Sequence, residues 1–269
     1  MTRGWDCHAH LFGPYAEYPL APDRSYTPPE AVERDYAALL EKLGLAHGVL
    51  VHPSAYGQDL RLLLETLERR PDWRGVVVTT AEQGLPLKSL RAGGIRAARF
   101  SHRSGTGANF AGSASLDDLC RLAPALADAG LHAELWTDCK VLPDIAATLR
   151  ELPVPVVIDH MGGFDADTSV DAPGFRMLLS LVESGAAWVK LCAYRNFLGR
   201  DDQETLGPRF QRALLAANPH RLLWGSDWPH LRVSPVPDTA ELLATFARWT
   251  ADDTMVAQIL ERNPQALYA

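Results

Sequence analysis

Short, almost wholly apolar runs alternate along this chain with longer amphipathic stretches. Runs such as Val154-Pro-Val-Val-Ile-Asp159 and Gly75-Val-Val-Val-Thr79 carry few polar residues, the pattern of parallel strands covered on both faces. On that criterion strands are predicted over Gly4–His8, His47–Val51, Gly75–Thr79, Ile95–Arg99, Leu131–Leu135, Val154–Asp159, Ala187–Leu191 and Arg221–Trp224. The amphipathic stretches between them predict helices over Pro28–Leu43, Gln58–Arg69, Pro86–Ala92, Leu116–Ala129, Lys140–Leu149, Ala172–Glu183, Gln203–Ala217 and Asp238–Arg248, with a last helix over Ala251–Glu261. Pro28 and Pro29 suit a helix's first turn, Gly130 and Gly185 suit helix ends, and Asp252 suits an N-cap.

Eight β–α alternations within 269 residues match the count of a TIM barrel. A doubly wound sheet is the rival, but the GxGxxG turn expected after its first strand is missing. No linker, repeat or low-complexity tract divides the chain. The expectation is an α/β fold, a single-domain distorted (β/α)8 TIM barrel over residues 1–269, with its catalytic face at the C-terminal ends of the strands.

Composition narrows the partners. Hydrophobic residues make up 47% and charged residues 22%, ordinary for a soluble protein with a real core. The net charge is −7 with no basic run, which argues against nucleic acid. No stretch of 18 apolar residues exists, so no membrane span is expected, and the N-terminus lacks a secretion-signal pattern. Cys7, Cys120, Cys139 and Cys192 are widely spaced without a CxxC and are read as reduced, buried thiols of a cytoplasmic protein.

In a barrel, chemistry gathers at the strand ends, and the unusual polar residues of this chain lie there. Strand one runs Asp6-Cys-His8-Ala-His10. Alternation places Asp6, His8 and His10 on one face, half of a metal or proton-transfer site. His132 and Glu134 share a face of strand five, Asp159 and His160 end strand six, and Asp227 follows strand eight. Arg99 ends strand four, with His102 and Arg103 just beyond, and Arg195 follows strand seven.

Structural readings compete with these. His8 and His10 can simply bond across the mouth, His132 is read as a core histidine, and Asp159 as the neighbour that orients His160. Of the three arginines, Arg103 most readily takes the competing reading of a solvated loop residue, and His47 and His220 are read as structural. Asp227 is read as functional because four histidines share its mouth. Arginines at the catalytic face also clamp carboxylates. No GxSxG nucleophile is present.

Four segments together carry a resemblance: Asp6-x-His8-x-His10, Asp159-His160-Met-Gly-Gly163, Trp188-Val-Lys-Leu-Cys-Ala-Tyr-Arg195 and Trp224-Gly-Ser-Asp-Trp-Pro-His230. This combination resembles the amidohydrolase superfamily, and more narrowly its branch of 2-pyrone-dicarboxylate and sugar-acid lactonases. His10-Leu-Phe-Gly-Pro14 through Tyr26-x-Pro28 is similar to that branch as well. The resemblance implies a hydrolytic barrel with Asp227 as general base for water. It implies that His8, His10 and His160 either bind a divalent metal or polarise the carbonyl directly. The family's two-metal site does not fit, because Arg99 stands where a bridging lysine belongs. A single Zn²⁺ or Mn²⁺ on His8, His10, His160 and Asp227, with Glu134 as a further candidate ligand, stays open beside a metal-independent site.

Ester hydrolysis needs an activated water and a sink for oxyanion charge, and a carboxylate beside histidines or a metal supplies both. Arg99, Arg103 and Arg195, with Tyr26 and His102, are the expected substrate contacts. The substrate expected is a small anionic lactone of the 2-pyrone-dicarboxylate, muconolactone or sugar-acid type. Two other readings stand beside hydrolysis: a lactone isomerase or metal-dependent decarboxylase on the same fold, and a non-catalytic barrel that binds a carboxylated metabolite.

Overall fold

The computed structural model describes residues 4–105, 110–165, 167–198, 200 and 202–269. Eight parallel strands follow one another around the sheet in chain order: β1 Gly4–Ala9, β2 Leu45–Val51, β3 Arg74–Val78, β4 Ile95–His102, β5 His132–Thr137, β6 Val156–Ile158, β7 Ala187–Lys190 and β8 Leu222–Leu223. β8 is only two residues long, so the segment beyond it closes the ring against β1. There the Cys7 N–H donates to Trp224 O (2.9 Å), the Asp227 N–H to His8 O (2.8 Å) and the His10 N–H to Trp228 O (2.8 Å). The helices surround the strands, and the architecture is the (β/α)8 barrel expected from the alternation. Among the described residues no helix is long and apolar enough to cross a membrane.

The helices are α1 Glu33–Leu43, α2 Arg61–Arg69, α3 Leu87–Ala92, α4 Leu116–Ala129, α5 Leu142–Glu151, α6 Pro173–Glu183, α7 Gln203–Ala217, α8 Thr239–Thr250, α9 Asp253–Ala257 and α10 Asn263–Tyr268. α1 starts at Glu33 rather than Pro28, because Ala31 exchanges backbone hydrogen bonds with Phe12 at 2.7 and 2.8 Å and the chain there stays extended. The last helical stretch runs beyond the predicted Glu261 through a wider π turn, Gln258–Arg262, into α10. Pro264 lacks an N–H, and the wider turn lies immediately before it. Gly130 takes the left-handed conformation at the end of α4, and Asp252 caps α9 through the Thr254 and Met255 N–H groups.

Two apolar shells result. Trp5, Cys7, Val49, Val51, Val76, Ala97, Val157, Trp188, Leu223 and Tyr268 fill the barrel interior, and a larger cluster fills the space between strands and helices. Burying each large apolar side chain contributes about 1.5–3 kcal/mol. Cys7, Cys139 and Cys192 are buried as expected, but Cys120 on α4 is exposed.

One expectation about β1 is overturned. Asp6 does not share a face with His8 and His10. Asp6 pairs with Gly48 and Ala9 with Leu50, so β1 carries an extra residue between them. A bulge of this kind shifts the alternation by one. Asp6 therefore points outward, where its carboxylate accepts from Tyr36 O–H (3.0 Å), Ser226 O–H (2.6 Å) and Ser226 N–H (2.8 Å). It ties the segment after β8 to β1 and α1 and contributes no ligand.

Candidate active site

The barrel interior changes character from bottom to top. Above the apolar floor lies a wholly buried ionic layer. Lys190 Nζ, at the end of β7, is 2.5 Å from Glu134 Oε2, 3.3 Å from Asp159 Oδ1 and 3.1 Å from His8 Nδ1. Burial opposes the lysine's charge, and Glu134 and Asp159 outweigh it and raise its pKa. Glu134 Oε1 accepts from Tyr268 O–H at 2.8 Å. Both Glu134 oxygens are thus engaged below the cavity, and Glu134 belongs to neither group of residues able to hold a metal. His132 lies beside Glu134 (3.8 Å) and the Tyr268 ring in the buried interior, the core histidine expected.

The next layer holds His8, His10, His160 and Asp227. His8 and His10 now face inward together, with ring centroids 5.0 Å apart, and His160 stands 4.8 Å from His8. Asp227 Oδ1 faces His10 Nε2 at 3.6 Å and His8 Nε2 at 3.7 Å. His160 and Asp227 both adopt left-handed backbone conformations, with φ of 50° and 59°. Such positions cost a non-glycine residue strain and concentrate at functional sites. Here they occur where the chain turns off β6 and β8. Asn196 donates to His160 O at 3.0 Å and steadies that turn.

Burial lowers His8 to a pKa of about 4, with help from Lys190, and lowers His160 to about 3. Both are neutral imidazoles at neutral pH. Burial alone would raise Asp227, but His160, His10 and Arg195 outweigh it and hold the carboxyl well below the usual range. Burial would likewise raise Asp159, and Lys190 and Arg99 reverse it. Asp159 therefore pairs with Arg99 (2.8 Å), Lys190 and His8 rather than simply orienting its sequence neighbour His160.

A cavity of about 530 Å³ opens above this layer, lined by His10, His160, Asp227, Tyr26, Trp136 and four arginines, Arg99, Arg103, Arg195 and Arg232. Asp227 is the one carboxylate among the lining residues. Arg99 and Arg195 are already paired, with Asp159 and Asp227 respectively. Arg103 is not a solvated loop residue. Its guanidinium lies 4.4 Å from the Trp136 ring centroid, and its buried Nε has no hydrogen-bond partner. Arg232 lies over Tyr26 at 4.7 Å. His102 is half-buried and does not line the cavity.

The sequence reading passed over Lys190, Trp136, Tyr194 and Arg232. Lys190 carried a usable signal, a lone cation ending the apolar strand Ala187-Trp-Val-Lys190. Trp136 and Arg232 became visible through the cavity they line, and Tyr194 through its hydrogen bond to Asp227.

Among the described residues two groups could hold a cation: His8, His10 and Asp227, and His8, Asp159 and His160, with ligand atoms within 4.8 Å of one another. His8 Nε2 and His160 Nδ1 are buried without hydrogen-bond partners. Imidazole nitrogens with a carboxylate oxygen fit one divalent ion in kind and number.

The amidohydrolase family profile matches residues 5–269, and the chain belongs to that family. Relatives matched over 98% of the chain are named as hydrolases. The 4-sulfomuconolactone hydrolase of Rhizobium radiobacter is 31% identical, over 98% of this chain and 89% of that protein. The D-galactarolactone isomerase of Agrobacterium fabrum is 26% identical, over 98% of this chain and 90% of its own. Among solved structures, a "probable 2-pyrone-4,6-dicarboxylic acid hydrolase" of Acinetobacter baumannii with citric acid bound superposes with a TM-score of 0.84 at 25% identity, covering 99% of each chain.

Proposed function

We propose that the chain opens the ring ester of a small anionic lactone by attack of water. One observation carries this reading. A buried carboxylate, Asp227, faces the His8 and His10 imidazoles beneath a cavity whose described lining carries four arginines and no other acid. The relatives named for lactone chemistry support it.

Asp227 accepts a proton from water as the water oxygen bonds to the ring carbonyl carbon. Neutral His160 lines the cavity beside the reacting carbon, and a hydrogen bond from it stabilises the oxyanion as it forms. The ring C–O bond then breaks, and the leaving oxygen takes up the proton held by Asp227, giving the open hydroxy acid or its enol. Guanidiniums hold the substrate's remaining anionic group in register. His8, His10 and Asp227, or His8, Asp159 and His160, would hold a divalent ion, which when bound would supply Lewis-acid polarisation of a carbonyl or water.

The test is turnover on a panel of carboxylated lactones, followed by acid release and product mass. The expected product is heavier than substrate by one water. A product of unchanged mass would mean isomerisation, and loss of CO₂ would mean decarboxylation; either would sink the hydrolytic reading.

A further inference from the structure

His8 is completely buried and has two possible neutral forms. Its Nδ1 lies 3.1 Å from Lys190 Nζ and 3.4 Å from Asp159 Oδ1. A protonated lysine has three N–H donors and no acceptor. Lys190 hydrogen-bonds to Glu134 Oε2 at 2.5 Å and to His8 Nδ1 at 3.1 Å, and it ion-pairs with Asp159 Oδ1 at 3.3 Å. A proton on His8 Nδ1 would face the ammonium head-on at hydrogen-bond distance. The imidazole proton therefore belongs on Nε2, the atom turned toward Asp227.

His10 is fixed the opposite way. Its Nδ1 lies 2.8 Å from the Val51 carbonyl oxygen, which can only accept. The His10 proton is on Nδ1, and its Nε2 presents a lone pair. Two adjacent histidines on one strand thus offer unlike atoms to the same carboxylate oxygen, at 3.7 and 3.6 Å. Both distances are too long for direct hydrogen bonds and suit a bridging group.

We propose that Lys190 is a positioning residue that places the His8 proton on Nε2, so that His8, His10 and Asp227 present one donor and two acceptors to a single water. A water has two protons and two lone pairs. One lone pair accepts from His8, the two protons go to His10 and Asp227, and the remaining lone pair is free for attack. Lys190 is itself held from below by Glu134, whose second oxygen is held by Tyr268. The base of the barrel thereby fixes the protonation pattern of its mouth. A divalent ion on His8 Nε2 would require the proton to move to Nδ1 and Lys190 to turn away.

The inference rests on His8 and Asp227 forming the site, and its test needs no substrate. Histidine ¹⁵N spectra of the whole protein distinguish protonated from lone-pair ring nitrogens, with His8 identified by its loss in His8→Gln. Wild type is expected to show His8 protonated at Nε2 and His10 at Nδ1. In Lys190→Met, His8 is expected to move its proton to Nδ1, facing Asp159, while His10 stays unchanged. On a substrate that turns over, the same variant should lose kcat by about 10- to 100-fold with KM within about twofold. A wild-type His8 protonated at Nδ1, or an unchanged His8 in a folded Lys190→Met, would overturn the proposal. If Lys190→Met does not fold, the wild-type spectrum still decides. Absence of lactone turnover would count against the proposed reaction and leave the spectra as they are.

Discussion

Arg195 donates through Nε to Asp227 Oδ2, and its sequence neighbour Tyr194 donates its O–H to the same oxygen at 2.8 Å. The carboxylate is thereby divided, with Oδ2 anchored and Oδ1 left facing His8 and His10. Arg195 is thus paired with the proposed base. Arg195→Met should lower kcat as well as raise KM, for a total loss in kcat/KM of about 1.5–3 kcal/mol, the range for a hydrogen bond to a charged group. The sign of the pH effect follows from the lost cation. Without it the Asp227 pKa rises, so the acid limb of the kcat/KM profile should move to higher pH. An unshifted limb with a change confined to KM would return Arg195 to the role of a simple clamp.

Asp227→Asn should fold and lose about 10²–10⁴ in kcat. Asn is the informative substitution because the position has a φ of 59°, a conformation that Asn tolerates and most other residues resist. Steady-state kinetics beside a thermal melt will separate loss of the base from loss of the turn. Near-wild-type kcat in a folded variant would remove Asp227 from the mechanism.

Arg103 is the lining arginine that combines a stacked, part-buried guanidinium with an unpartnered nitrogen. Arg103→Met should mainly raise KM for a carboxylated lactone, by about 1.5–3 kcal/mol, and leave kcat nearly unchanged. The corresponding neutral methyl ester should show little difference between wild type and variant. Equal effects on both substrates would mean that Arg103 shapes the pocket without reading charge.

Stability should fall steeply as pH drops from about 6.5 toward 4. His8, His52 and His230 are lowered to about 4 and His160 to about 3, each first by burial. An unfolded imidazole titrates near about 6.5. In that window the unfolded chain binds more protons than the fold, so stability is complete above about 6.5 and is lost below it. His52→Gln should make the dependence shallower by up to ~1.4 kcal/mol per pH unit. Urea unfolding at pH 7, 6, 5 and 4 measures both, and a flat dependence would show that these histidines are charged in the fold.

Tyr268→Phe should cost about 1–3 kcal/mol, because it leaves Glu134 Oε1 buried without its donor. The effect should appear in the urea midpoint. A neutral substitution would mean that water or Lys190 replaces the phenol.

The order of elements was readable because it depends on local pattern. Buried strands are apolar on both faces, helices repeat every three to four residues, and eight alternations leave few topologies. The lone polar residues at strand ends, His10, His160 and Asp227, were readable for the same reason. Asp6 was misplaced because a bulge in β1 depends on its pairing with β2 and leaves no mark in composition. The start of α1 was misplaced because Ala31 pairs with Phe12, a contact between segments that local propensity does not see.

The sequence by itself thus determined the barrel and the strand ends at which His10, His160 and Asp227 stand. The tertiary structure decided how those groups are charged and paired. Arg99 meets Asp159, Arg195 meets Asp227, and Lys190 meets Glu134 and His8 across strands that are distant in the chain. Charge state and tautomer depend on burial and on neighbours within a few ångströms, and only the closed barrel sets those distances.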